Sequence, residues 1–388
     1  MPDPDHAVDA EILAAFLVAD PSDWPVLAPK VVEAVGGQRL RAIVDGTRQR
    51  IGISVRVSDS PQGLVVAGST GRVLAWVRTD AGRLDALLIA PYRFTRRTAE
   101  RTGSLPLFRL LWLAFGLWLA VSAWTASTRD GWIGVLLLTL AGYVYFEGMG
   151  APAIHPWWFR RGVQVLTVAA ATSAVRWSEL ASGRGVWTVW GTTVLILVTA
   201  VLVRGRRHRW GVSSARPLGR FPLLGPWCVV QGGGRFLNHH FAVPAQRGAI
   251  DVVKVGRQGT KSGVGNSLDS FLSYGQDVMA PADGMVTTAV DGLPDQIPGT
   301  IRFAPVYGNH VIIDTGSETI LLAHLRPGTV AVAVGDPVRS GQLLGQVGNS
   351  GNSTTPHLHL QVERDGAGLD LRFTGLPGSL YRGRTVVG

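Results

Sequence analysis

The sequence predicts a multi-domain membrane protein: a small α+β domain, a transmembrane α-helical region, and a C-terminal all-β domain. Three observations carry that prediction. Residues 105–203 run almost free of charge in long stretches, while both flanks have the composition of soluble domains. Ahead of them, helix-spaced apolar residues give way to short alternating runs between turn residues. Behind them, the composition turns to Gly, Val, Asp and Pro, with hairpin-like strands. Over all 388 residues, a hydrophobic share of 46% against 16% charge is too apolar for an ordinary soluble chain.

Residues 1–98 read as an N-terminal α+β accessory domain. "DAEILAAFLVAD" and "PKVVEAVGG" have helical spacing and end at turn residues. "ISVRVSDS", "GLVVAGST", "RVLAWVRTD" and "LDALLIAPY" are four strand-like runs, which predicts an antiparallel meander against the helices. The closing strands, with "DAGRLDALLIAP", resemble cystatin-like or NTF-two-like accessory domains. No acid, base or metal cluster occurs here, so a structural or ligand-binding role is expected. The acidic opening "MPDPDHAVDAEIL" predicts no cleavable signal peptide.

The transmembrane region is expected over 105–209, as three to four helices at about 107–127, 132–154, 160–176 and 186–203. Tryptophans such as Trp112, Trp132, Trp157 and Trp187 cluster at their edges, where bilayer interfaces favour them. Within the spans almost the only charge is Glu147, which fits an anchor rather than a transport pathway. The net charge of +10 is nearly all arginine and borders the apolar segments. It therefore points to a lipid bilayer and not to nucleic acid. Arg93, Arg96, Arg97, Arg101 and Arg109 precede the first span, Arg160 and Arg161 flank the third, and Arg204, Arg206, Arg207 and Arg209 follow the last. The positive-inside rule then places both termini in the cytoplasm with four spans. Three spans, with the short third segment not crossing, would export the C-terminal domain, which the chemistry below prefers, but would leave "RGRRHRW" on the wrong side. Both topologies stand open.

One cysteine, Cys228, excludes an intramolecular disulfide and a cysteine-based zinc cage. Histidines and carboxylates must carry any metal chemistry. Two of the nine histidines stand one residue apart in "TTPHLHLQV", residues 354–362. Strand periodicity puts His357 and His359 on one face, roughly 6.5–7 Å apart. That spacing suits two imidazoles converging on one small object, such as a metal ion with its water.

"YGQDVMAPADGMV", "YGNHVIID", "LLAHLRPGTVAVAVGDPVRSGQLLGQVGNSGNST" and "PHLHLQV" together resemble the lysostaphin/LytM-type zinc endopeptidases of peptidoglycan. The resemblance covers about residues 230–365, within a peptidase-like β domain expected at 225–375. It implies a zinc ligand at His359 and catalytic histidines at His357 and His324. The usual histidine four residues before the ligand aspartate is missing: Asp251 is the aspartate, and Arg247 occupies that place. A subgroup with an Asn-x-His element, "QR-x-A-x-D" and a "DGLPD…PG" insertion is similar to "NHH", "QRGAID" and "DGLPDQIPG" here. By that match the third ligand is His240, with His239 the runner-up. Zn2+ would then have two imidazoles, one carboxylate and an open position for water. The division of labour between His357 and His324 stays open. Asn238 and Asn309 are candidate ligand-supporting or substrate contacts, and His310 reads as a surface strand residue. The resemblance implies a membrane-anchored zinc metalloendopeptidase acting on peptidoglycan or another peptide. The alternative is a catalytically inactive domain that scaffolds or activates other cell-wall hydrolases.

Overall fold

The computed structural model describes residues 4–52, 55–58, 64–91, 104–210, 216–263, 265–300 and 305–388. Arg93, Arg96, Arg97 and Arg101 lie outside the described residues. The N-terminal unit has helices α1 (Pro4–Val18), α2 (Trp24–Leu27), α3 (Pro29–Val35) and α4 (Gly37–Ile51). Strands β1 (Arg56–Ser58), β2 (Leu64–Ala67), β3 (Arg72–Asp80) and β4 (Arg83–Pro91) form an antiparallel meander in that order. Leu13, Phe16 and Leu17 of α1 recur at helical spacing and are fully buried. Helix α4 was not legible in the sequence because arginines crowd it, yet Leu40, Val44 and Ile51 make a buried stripe. Arg48 fastens it to α1 by donating to the carbonyls of Leu17 and Ala19, each at 2.8 Å.

Next comes a bundle of α5 (Ser104–Thr125), α6 (Arg129–Gly148), α7 (Trp157–Thr172) and α8 (Val186–Arg207). Helices over Pro106–Thr125, Arg129–Gly148 and Val186–Arg207 are long and apolar enough to cross a membrane. The bundle carries its apolar residues outward: Leu110, Trp118, Val121, Ile196 and Leu197 are each more than half exposed. Helix α6 stops short of the expected 154 because Ala151 takes a left-handed φ of 48° and Pro152 follows. Helix α7 starts before 160 and ends at Thr172, where a 3₁₀ segment, Ser173–Glu179, continues the path. That path returns to the start of α6, since Arg129 donates to the Ala181 carbonyl at 2.8 Å. The chain thus traverses the bundle four times and enters and leaves it at one end.

Helices α6 and α8 approach through glycines. A Cβ on Gly191 would lie 2.8 Å from Leu137 Cβ and 2.9 Å from the Gly134 carbonyl oxygen. Such backbone proximity is how helices pack where no hydrophobic force drives them together.

The β domain takes in residues 216–388, beyond the expected 225–375 at both ends. Its strands are β5 (Pro226–Gln231), β6 (Ile250–Lys254), β7 (Asp277–Met279), β8 (Gly284–Val290), β9 (Asn309–Asp314), β10 (Thr319–Leu325), β11 (Pro337–Val338), β12 (Leu343–Gln346), β13 (Leu358–Arg364), β14 (Ala367–Leu369) and β15 (Thr385–Val387). Among the described residues the main sheet runs β11-β8-β9-β10-β13-β6-β5-β15, with β14 also on β13 and a separate β12-β7 pair. Alternation sorts its two faces. Ile250, Val252, Leu358, Leu360 and Val362 enter one core with Leu218, Phe221 and Val386. Asp251, His359 and Gln361 therefore share the opposite face.

Gly191→Val should split the α6–α8 contact and cost about 1–3 kcal/mol by overpacking. A lowered melting temperature of the detergent-solubilised chain is the expected result.

Candidate metal centre and catalytic cleft

Strand register brings the first pair together. His359 on β13 lies directly opposite Asp251 on β6. Opposed residues stand about 4.5–5.5 Å apart at Cβ, within reach of each other's side chains. His359 Nδ1 is 2.9 Å from Asp251 Oδ1. His240 comes from the segment between β5 and β6, and its Nε2 reaches the same Oδ1 at 3.0 Å. Asn238 makes that segment fold back. Its amide donates to the carbonyls of Arg247 and Ala249, and its Oδ1 accepts from the His240 backbone at 3.0 Å. Arg247 does not enter the cluster and donates to the Phe241 carbonyl.

The other ring nitrogens are held by amides. Gln246 Oε1 faces His240 Nδ1 at 3.3 Å, and Gln361 Oε1 faces His359 Nε2 at 3.1 Å. Both amide nitrogens are engaged elsewhere, Gln246 with the Tyr307 hydroxyl at 3.1 Å and Gln361 with Glu363 at 3.3 Å. Each Oε1 can only accept, so His240 Nδ1 and His359 Nε2 carry the hydrogens. Two imidazole lone pairs are thereby aimed at one buried carboxylate oxygen. Only a cation relieves that arrangement, and two neutral imidazoles with one carboxylate are the donors a divalent transition metal takes. Without a metal a proton does the same job. Burial alone would depress His240 and raise Asp251. The attraction between them outweighs it, so His240 is raised and Asp251 is held well below the carboxylate range.

His239, His240 and Asp251 offer ligand atoms within 4.8 Å of one another. His239 is exposed and lies with its ring 4.0 Å from that of His240, so it stands at the rim. His357 Nε2 is 3.8 Å from Asp251 Oδ1, and its Nδ1 donates to the Thr355 carbonyl at 2.7 Å. The His324 ring lies 4.7 Å from His357 and 5.9 Å from His359, with Nδ1 donating to the Ser350 carbonyl at 2.8 Å. His324 sits at a bulge of β10 with φ of 65°, the strained backbone that aims its ring into the cluster. Burial lowers His324 and His357 alike, so both are neutral at neutral pH, with Nε2 free to accept a proton.

All five residues expected at the site, His240, Asp251, His324, His357 and His359, thus meet in one cluster. Of the two alternatives for Asn238 and Asn309, Asn238 supports the segment that carries His240, and substrate contact is corrected for both. Both are buried with their amides committed to backbone, Asn309 tying Leu293 to Leu325, so neither is open to substrate. His310 is only half-buried, held by the Gly308 carbonyl, with its ring 5.7 Å from Tyr307. Gln246, Tyr307 and Gln361 were missed. The signal for Gln361 was its place two residues after His359, on the same strand face.

Residues 264–371 match peptidase family M23. That match lies within the C-terminal domain and agrees with the resemblance read from the sequence. The matched span begins beyond Asp251, so it covers His324, His357 and His359 but not the other two. Peptidoglycan DD-endopeptidase ShyA of Vibrio cholerae is 31% identical over 97 residues, 25% of this chain and 20% of that protein. The chain therefore spans about a fifth of that curated relative. Among solved structures, a zinc-containing peptidase from Vibrio cholerae overlaps 42% of this chain and 41% of its own, at 20% identity and TM-score 0.27. The catalytic domain of lysostaphin from Staphylococcus simulans overlaps 41% and 87%, at 20% identity and TM-score 0.22.

Replacing Gln361 with Leu removes the acceptor behind His359 and should weaken divalent-cation binding by roughly ten- to hundredfold. Gln361→Glu keeps an acceptor and should restore it. Chelator competition on the two purified variants measures the difference.

Proposed function

We propose that this chain is a membrane-anchored zinc endopeptidase that hydrolyses peptide bonds of peptidoglycan, with its peptidase domain on the extracytoplasmic side. One observation carries the reading: two imidazole nitrogens with their lone pairs aimed at Asp251 Oδ1, beside two further imidazoles whose Nε2 atoms are free. His240 Nε2, Asp251 and His359 Nδ1 would hold the metal. Zinc there would supply a Lewis acid and lower the pKa of water to about 7. His357, nearest the carboxylate, accepts the proton of the attacking water at Nε2. His324 stands within reach to help carry that proton to the leaving nitrogen. Once protonated, either Nε2–H can donate to the oxyanion of the tetrahedral intermediate. The similarity to a peptidoglycan DD-endopeptidase supports a stem-peptide cross-link as substrate.

The inactive-scaffold alternative rested on the missing histidine at position 247. The "NHH" segment supplies an imidazole to Asp251, which supports the active reading. The arginine-rich end of the bundle has an explanation other than a cytoplasmic location. Arg206 lies over the Tyr381 ring at 4.5 Å, and Arg109 donates to His155, so these charges dock the chain on itself. The positive-inside count overstates what is left to set topology.

Two outcomes are expected. His240→Ala and Asp251→Ala should each lose zinc and hydrolysis of isolated peptidoglycan, while His239→Ala keeps the metal; retention of zinc by the first two would overturn the ligand assignment. For sidedness, Cys228 is buried, so Arg339→Cys offers a single accessible thiol on the β domain. An impermeant maleimide should label it in right-side-out vesicles. Labelling only after lysis would place the domain inside, away from any wall substrate.

A further inference from the structure

The last turn of α8 is in close contact with the segment that delivers His240. Gly234 donates its backbone N–H to the Gly205 carbonyl at 2.8 Å. Leu237, which is 1% exposed, fills the space where Gly205 lacks a side chain: a Cβ there would lie 2.8 Å from Leu237 Cγ and Cδ1. A Cβ on Gly234 would in turn lie 2.7 Å from His208 Cβ and 3.2 Å from Gly205 Cα. Three residues beyond Leu237 is His240, with Asn238 between them pinning the turn to Ala249, just ahead of β6.

The second metal-facing residue rests on the same end of the bundle. Val253 shares the sheet face of Asp251 and packs with Cys228 against Ala151, just past the end of α6. The two positions are about 6.6–6.8 Å apart along the strand. Arg382 clamps this junction, donating to the carbonyls of Met149 at 2.9 Å and Val230 at 3.1 Å. Neither His240 nor Asp251 can move far while the helix ends stay in place.

We propose that Gly205 is a positioning residue of the metal centre, and that the end of α8, through Leu237, sets the place of His240, so the helical bundle is a working part of the site. This rests on the metal-centre reading above, and the experiment separates the two. The contact is a matter of volume. One methyl group on Gly205 has nowhere to go unless Leu237 moves, and interiors this close-packed transmit such displacements.

The test uses the full chain in detergent, with zinc affinity by chelator competition and amide exchange over residues 234–240 in the zinc-free protein. Gly205→Ala should weaken zinc about tenfold and lower amide protection in that segment. Combining it with Leu237→Val, which gives back a methylene, should restore most of both. Arg257→Ala removes a different bundle contact, its guanidinium over Trp157, and should change neither. Unchanged amide protection in Gly205→Ala overturns the proposal, as does a failure of Leu237→Val to restore it. An equal effect from Arg257→Ala would also overturn it, by showing that any loosened docking suffices. Wild-type protein that binds no zinc would instead overturn the metal-centre reading, with the amide exchange still deciding this one.

Discussion

The carboxylate of Asp251 is the constraint around which the C-terminal domain is organised. It is buried in a sheet face, where an uncompensated charge is costly. The strand register delivers His359 to it, a folded-back segment delivers His240, and the two glutamine amides turn the lone pairs of both rings towards it. Each device makes sense only if something positive sits among these three groups. A proton suffices to keep the fold, and a metal that displaces it turns a structural necessity into a reactive site.

What the sequence showed and what it hid follow from how far each signal travels along the chain. The period-two pattern of His357 and His359 is local, and it was legible. Asp251 and His240 were reachable only through a family resemblance, because the turn that folds one onto the other depends on the Asn238 amide bonding to Arg247 and Ala249. The chain from His240 through Gln246, Tyr307 and Gln361 to His359 spans more than a hundred residues of sequence, and an amide's orientation is fixed by partners that no local pattern reveals. Helix α4 was hidden for another reason: tertiary contacts of Arg48 and a buried stripe outweighed an exterior crowded with arginine. The ends of α6 and α7 were misplaced because a left-handed Ala151 and a 3₁₀ continuation are backbone choices, not composition.

In the bundle, some of the arginines that a charge count assigns to topology have partners within the protein. The positive-inside rule concerns arginines that meet lipid and water. Here Arg206 stacks on the Tyr381 ring and Arg109 donates to His155 Nδ1, while Arg382 of the β domain donates to the Met149 carbonyl, and such contacts are internal to the protein on whichever side it lies. Arg206 also donates to the Gly148 carbonyl, one of the last carbonyls of α6, which lack intrahelical partners.

That docking underlies the proposal that the apolar bundle does more than anchor. An anchor needs only length and apolarity, and a flexible tether would serve. Instead glycines at 205, 233 and 234 bring the end of α8 into backbone contact with the loop ahead of His240, and β6 presents Asp251 and Val253 on one face, one to the site and one to the bundle. A strand with its side chains two apart cannot shift one of these without the other. The sheet therefore couples the two halves of the molecule through this pair of residues, alongside the α8 contact, and the geometry around Asp251 is held from outside the β domain as well as from within it.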